Sequence, residues 1–234
     1  LMSDTTINFF NTSLERYGST PAEWSRNVFA DFLTIMSETS ARVVALDLLF
    51  SGTDDADTQF LEAIEQLRSN TTRTQLVVAG AGVGQPLPNV DQAANLHFST
   101  GLPLIDSLDQ RVDYIGLTNT FADVDGIVRR QPSLVTIGDS LNPQLSFSIA
   151  TLFAYLRIPS SVAPDIITIE QDHITLPGER HLQTDERGFW QQNYFGSPNQ
   201  HFSQQTVSFV DVLDGNIDLE QFDDAMVLVG LLNT

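Results

Sequence analysis

Lysine and cysteine are both absent from this 234-residue sequence, and each absence removes a class of chemistry. Without cysteine there is no disulfide framework, no thiolate nucleophile and no cysteine-rich zinc site, and the redox compartment stays open. Without lysine, all eleven basic side chains are arginine; set against thirty Asp and Glu, they leave a formal charge of −19. The closest basic pair is Arg129 with Arg130. Nucleic acid and anionic membranes are bound by basic patches that release counterions or meet lipid charge, so neither is an expected partner. Long hydrophobic runs are missing too. None approaches the roughly 20 residues of a spanning helix, and the opening LMSDTTINFF lacks a signal peptide's basic region and cleavage site. The expectation is one soluble domain over residues 1–234 that reads as an excised piece.

A hydrophobic content of 41% is enough for a sizeable core. Periodicity alternates between extended and helical. RVVALDLLF (42–50) and LVVAGAG (76–82) are continuous apolar runs that suit strands buried on both faces. Between them, TDDADTQFLEAIEQLRSN opens with acidic and hydroxyl residues and carries Phe60, Leu61, Ile64 and Leu67 at helical spacing. This strand–helix–strand order predicts a parallel crossover unit, with MVLVGLL as a third parallel strand. Helices are also expected over 24–39 and 142–156, the latter with Leu145, Ile149, Leu152, Phe153 and Leu156 in register. Residues 86–103 read as a long loop or lid. YIGLTNT, GIVRRQPSLVTIG, IITIE, HITLP and FWQQNYFG read as short strands, with turns at Asp125-Gly126 and Pro177-Gly178. The predicted fold is α/β: a mixed, mainly parallel central sheet flanked by helices, with additional antiparallel strands in the second half.

Several constellations suggest chemistry, and each has a plainer structural counterpart. FADVDGIV places Asp123 and Asp125 in the Asp-x-Asp-Gly pattern of haloacid-dehalogenase-like phosphatases, where one carboxylate attacks phosphorus and the other handles the leaving-group proton. That chemistry also uses a lysine, which this chain lacks. The plainer reading is a tight acidic turn. Asp54, Asp55 and Asp57 could loosely hold a hard cation, although acids at a helix start ordinarily cap amides and meet the dipole. An EF-hand fails because Phe121 falls on its first ligand position. His97, His173, His181 and His201 form no i, i+4 metal pair and read as surface residues. GAGVG (80–84) is followed by Gln85, Pro86 and Pro88 rather than a helix, so it reads as a strand exit and not a phosphate cradle. No Gly-x-Ser-x-Gly elbow anchors a hydrolase triad. Neither metal nor cofactor is expected.

Five segments in order carry more information than any single motif: ARVVALDLLFSGTDDADTQFLEAI, YIGLTNTFADVDGIVRRQPSL, PQLSFSIATLFAYL, FWQQNYFGSPNQHFSQQTVSFVDVLDG and FDDAMVLVGLLNT. Together they resemble the type-two CHASE domain, the extracytoplasmic sensory region of bacterial cyclases and kinases, over nearly the whole chain. Asp47 and Phe50 resemble the family's strand-end pair, and Asp57 its acidic helix start. Asn119, Asp123, Asp125, Gly126 and Arg129 resemble its Asn, Asp-x-Asp-Gly, Arg segment; Asn193, Tyr194 and Gly196 its Asn-Tyr-x-Gly strand; Gly230 its last strand. Trp24 and Arg26 resemble a Trp-Pro-Arg element with serine in place of proline. Phe10-Asn11 stands where relatives often carry paired aspartates.

The resemblance implies a non-catalytic, periplasmic or extracellular sensor of a membrane receptor. Its partner would be a small-molecule or protein signal, its assembly a possible homodimer, and its output a cytoplasmic cyclase or kinase. The alternatives are a phosphatase built on Asp123 and Asp125, or a purely structural dimerisation module. A ligand site is expected outside the carboxyl ends of the parallel strands, where Asp47 and the GAGVG exit converge. Candidate ligand residues are Asp47, Asn119, Asp123, Asp125, Arg129, Asn193 and Tyr194. Arg129 would meet an anionic ligand, or pair Asp47 or Asp125 in a buried Asp–Arg–Asn network that fixes the fold.

Overall fold

The computed structural model describes residues 24–84, 95–138, 143–163, 166–170, 172–185, 188–193 and 206–230. Its centre is a four-stranded sheet built from β1 (Val43–Leu46), β2 (Gln75–Gly80), β6 (Tyr114–Leu117) and β14 (Met226–Val229), in the order β14-β1-β2-β6. Every pairing in it is parallel. All four residues of β1 are buried because successive side chains point to opposite faces and both faces are covered. Val44, Leu46, Leu76 and Val78 face one side, where α1 (Arg26–Met36) and α2 (Asp57–Arg68) pack. Val43, Ala45, Val77 and Tyr114 face the other, under α4 (Phe147–Tyr155).

Helix α1 presents Val28, Phe29, Phe32, Leu33 and Met36, and α2 presents Phe60, Ala63, Ile64 and Leu67. These stripes recur every three or four residues and meet each other and the sheet in one cluster. On the opposite face α4 sits close to β6, because a Cβ at Gly116 would stand 2.6 Å from the Phe147 Cα. Only glycine allows that approach.

The helix expected over 142–156 starts at Phe147. Upstream, β9 (Gln144–Leu145) pairs with β8 (Leu134–Ile137), and the Ser146 amide donates to the Ser133 carbonyl at 2.9 Å. Tertiary pairing outweighs the local helical pattern there. The loop expected over 86–103 is also corrected. β4 (Asn95–Phe98) pairs parallel to β8, and β5 (Thr100–Gly101) pairs antiparallel to β3 (Gly82–Val83), while residues 85–94 lie outside the described residues. Phe98 is buried against Leu117 and Val135. A Cβ at Gly82 would stand 2.3 Å from its ring, so the second glycine of GAGVG seats an aromatic side chain.

Antiparallel pairs complete the second half: β7 (Arg130–Pro132) with β13 (Phe189–Gln191), and β10 (Thr168–Ile169), β11 (His173–Leu176) and β12 (Arg180–Gln183) in succession. The β11–β12 hairpin turns at Pro177-Gly178, with Gly178 at φ +80°. Its register brings His173 and His181 together with ring centroids 4.8 Å apart, a pairing their eight-residue separation conceals. His201 lies outside the described residues.

A buried arginine joins the first helix to the sheet. Arg26, 6% exposed, donates to the Asp57 carboxylate and to the carbonyls of Ser51 at 2.7 Å and Gly52 at 3.1 Å. Asp54 accepts from Ser25 at 3.0 Å and from the Ala56 amide at 2.8 Å, at the start of α2. Asp54 and Asp57 of TDDADT therefore serve a helix start and a buried cation. Removing one partner of such a pair strands a desolvated charge, so Arg26→Ala and Asp57→Ala should each lower unfolding free energy by about 3 kcal/mol. In a denaturant double-mutant cycle the double variant should lose clearly less than the sum; additive losses would show that the pair is not coupled.

Candidate functional site

The carboxyl ends of β2 and β6 open into a cleft of about 340 Å³. Its apolar part is formed by Leu104, Ile105, Ile115, Leu117 and Ile137. Around it stand the polar side chains of Asp106, Ser107, Asp109 and Gln144, none of which has a side-chain partner among the described residues. Ser107 takes φ +67° ahead of α3 (Leu108–Arg111), a left-handed conformation that turns the chain around the cleft.

Asn119 makes the opposite wall rigid. Its side chain accepts from the Gly82 amide at 2.7 Å and donates to the Gly82 carbonyl at 2.9 Å. Thr118 N–H donates to the Gly80 carbonyl at 2.9 Å, and Leu102 N–H to the Ala81 carbonyl at 2.7 Å. The strand exit is thus held from two sides, through the Gly82 amide and the carbonyls of Gly80, Ala81 and Gly82.

Asp123, Asp125 and Arg129 come together elsewhere, on a turn closed by the bridge between Phe121 and Arg130. Gly126 N–H donates to the Asp123 carbonyl at 2.8 Å, with Gly126 at φ +82°, as the tight-turn reading expects. Arg129 grips Asp125 through both guanidinium nitrogens, at 2.8 and 2.7 Å, and reaches Asp123 at 3.4 Å. Arg130 bonds Asp123 and Asp185, the latter at 3.0 Å. The side chains of Arg129, Arg130 and Asp125 are about half exposed, so this network is not the buried one expected; among the described residues the buried arginine is Arg26.

The Arg129 guanidinium holds the Asp125 carboxyl down at about 2, and Arg130 first, then Arg129, hold Asp123 below the usual carboxylate range. This bears directly on the phosphatase alternative. An acid that protonates a leaving group must carry a proton at working pH, and Asp125 is ionised throughout that range. Asp123 also lies six residues beyond the end of β6 rather than at the strand end.

Asp47 stands exposed at the end of β1, and its carboxylate has no partner among the described residues. Desolvation raises its pKa. Gly230 leaves it room, since a Cβ there would stand 3.5 Å from the Asp47 Cβ. Asp47 forms no bond to Arg129 and does not line the cleft. Asn193 is exposed just beyond β13; the preceding Gln192 N–H donates to the Arg129 carbonyl at 2.8 Å. Tyr194 lies outside the described residues. Asp106, Ser107, Asp109 and Gln144, which rim the cleft, belong to no motif, and only the topological rule about strand ends pointed toward them.

Two titrations follow. Asp125 contributes stability in full above its ordinary value of 3.8, and that contribution disappears as pH falls toward about 2. In Arg129→Ala, carboxyl NMR should show the Asp125 midpoint moving back up toward the ordinary value; an unmoved midpoint would remove Arg129 as the cause. Asp47 has the opposite sign, because a raised carboxyl pKa weakens the fold as pH rises through the shifted range. Asp47→Asn should therefore raise Tm at pH 7, with the gain shrinking at acid pH.

Among the described residues, no helix is long and apolar enough to cross a membrane. No curated protein and no solved structure matches the chain. The family model of the CHASE2 domain matches residues 6–234, essentially all of it. The chain belongs to the CHASE2 domain family, whose members are extracytoplasmic sensory domains and not catalysts.

Proposed function

We propose that the chain is the signal-binding part of a bacterial membrane receptor, and that it takes a small molecule in the cleft at the carboxyl ends of β2 and β6. The observation that carries this reading is the cleft itself, with an apolar floor and, at its rim, polar side chains without protein partners among the described residues. Asn119 sets one wall. The other wall joins the exit of β1 through the Ser51–Leu104 bridge and the Ile105 N–H bond to the Phe50 carbonyl at 3.1 Å. β1 pairs in turn with β14.

A ligand that fits one arrangement of these walls better biases that arrangement by no more than its differential affinity. Flanking membrane helices would pass the bias to a cytoplasmic cyclase or kinase. Asp47, at a neighbouring strand end, would sense the same movement. Asp123, Asp125, Arg129 and Asn193 would brace the adjoining turn and strand.

The test is a thermal-shift screen of the chain against amino acids, amines, sugars, organic acids, nucleotides and metal ions. The expected result is a saturable rise that disappears in Gln144→Trp, which plugs the cleft mouth from an exposed position. A ligand at about 100 times its Kd stabilises the native state by about 2.7 kcal/mol, well within reach of the method. A flat screen with both proteins folded would favour a dimerisation module instead.

A further inference from the structure

The central sheet ends on β14. Among the described residues no strand pairs with its outer edge, while the other end of the sheet is closed by the bridge between Leu117 of β6 and Ser146. Open edges are ordinarily blunted by a charge, a proline or a bulge. The MVLV of β14 has none of these, and its register with β1 runs without interruption. Val227 and Val229 pair with Val44 and Leu46 and pack against the core under α1 and α2, whereas Met226 and Leu228 pair with Val43 and Ala45 on the α4 face. Helix α4 lies mainly over β6, β2 and β1. Leu228 is accordingly 66% exposed and Met226 37%.

We infer that this edge receives the same edge of a second copy, the two β14 strands running antiparallel across a two-fold axis at Val227, so that the two four-stranded sheets become continuous. The backbone is self-complementary about that axis. An extended strand turns its N–H and C=O groups to alternate sides from one residue to the next, and the Ala225 and Val229 carbonyls accept from the Val43 and Asp47 N–H groups at 3.3 and 2.7 Å. The polar groups of Met226 and Leu228 therefore face outward. With the axis at Val227, Met226 of each copy lies opposite Leu228 of the other, and these outward groups bond in pairs. The side chains agree, because opposite residues share a face and the Met226 and Leu228 side chains of both copies form one apolar patch. A slip of one residue would set outward polar groups against inward ones. An axis at Met226 would set Leu228 against Asp224, and one at Leu228 would set Met226 against Gly230. Charge agrees as well. Two chains of formal charge −19 repel each other. They can approach at β14 because residues 225–229 carry no charge, and Asp224, at φ +53°, leaves the line of the strand and pairs with Arg42 at 3.4 Å. One strand pair is a small interface, below the roughly 1,200 Å² of stable complexes, so the free chain dimerises only at high concentration.

The absence of cysteine makes the test direct. At an antiparallel pair without mutual hydrogen bonds the Cα atoms stand about 4.5 Å apart, inside the range of a disulfide, so Val227→Cys should give a disulfide-linked dimer under mild copper–phenanthroline oxidation. Added salt should speed the reaction by screening the repulsion. Val124→Cys, fully exposed on the acidic turn, measures chance collision and should crosslink more slowly. Adding Leu228→Asp, at an exposed position, to Val227→Cys should slow crosslinking by about tenfold or more. In the unaltered chain, hydrogen exchange at the Met226 and Leu228 amides should slow as concentration rises into the millimolar range. Val124→Cys crosslinking as fast as Val227→Cys, an unaffected Leu228→Asp variant, or exchange that does not depend on concentration would each overturn the proposal. Amides already protected at low concentration would assign the edge to another segment of the same chain. None of these outcomes touches the cleft at the far edge of the sheet, so the sensory reading is tested separately.

Discussion

The buried Arg26 guanidinium is the interaction on which the arrangement of this domain turns. It sits where α1, the exit of β1 and the start of α2 converge, and it meets one carboxylate and two carbonyls. A planar fork with five N–H donors suits that mixed set of acceptors better than an ammonium point charge would. The bond to Asp57 offsets the charge, and the carbonyl bonds fix the path of Ser51 and Gly52. Ser51 then bridges to Leu104, which belongs to the wall of the cleft. A structural ion pair in the core of one layer thus sets the geometry of a surface site one connection away.

The chain's charge is distributed unevenly around this frame. Arginines that could have neutralised the surface are instead drawn into specific contacts: Arg42 donates to the Tyr155 carbonyl at 2.8 Å and lies 4.5 Å over the Tyr155 ring, and Arg157 donates to the carbonyls of Thr72 and Arg73. Arg129 and Arg130 stiffen a turn among three carboxylates. The acids left over include the pair at the cleft rim. With few cations and many acids, any site that is not supplied with an arginine is negative by default.

Legibility in the sequence followed the range of the interactions. The strands of the central sheet were readable because burial on both faces imposes continuous apolar runs, as in VVAL of β1 and MVLV of β14. Helix α2 was readable from its own stripe. The start of α4 was not, because Gln144 and Leu145 fit a helical pattern and are drawn into a strand by β8. The strands between Asn95 and Gly101 were hidden for the same reason: they are short, and their burial depends on Gly82 and Val135, far away in sequence. At the site, Asp123, Asp125 and Arg129 were found as a group because a turn keeps them within seven residues of one another. Asp47 was expected to join them, but strand order places it beside β14. The cleft rim draws on Asp106 to Asp109 and on Gln144, a combination that spacing cannot express.

These separations also order the ways in which a bound ligand could act. Asn119 ties β3, just beyond the exit of β2, to the segment after β6 by two hydrogen bonds to one residue, Gly82, so that wall moves little. The facing wall carries a positive-φ serine and a helix of four residues, and it touches β1 through one bridge and one hydrogen bond. Its Ile105 and Leu108 are buried in the same core cluster as Leu46, Phe50 and Phe60, so moving it repacks that cluster. A ligand that shifted the Leu104–Asp109 wall against the β2 exit would therefore load the core layer behind it. The strain would reach β1 at Phe50 and Ser51, next to the carbonyls that Arg26 holds. The same arginine that defines the resting geometry would resist the change, and its release or retention would decide how far the movement travels toward β14.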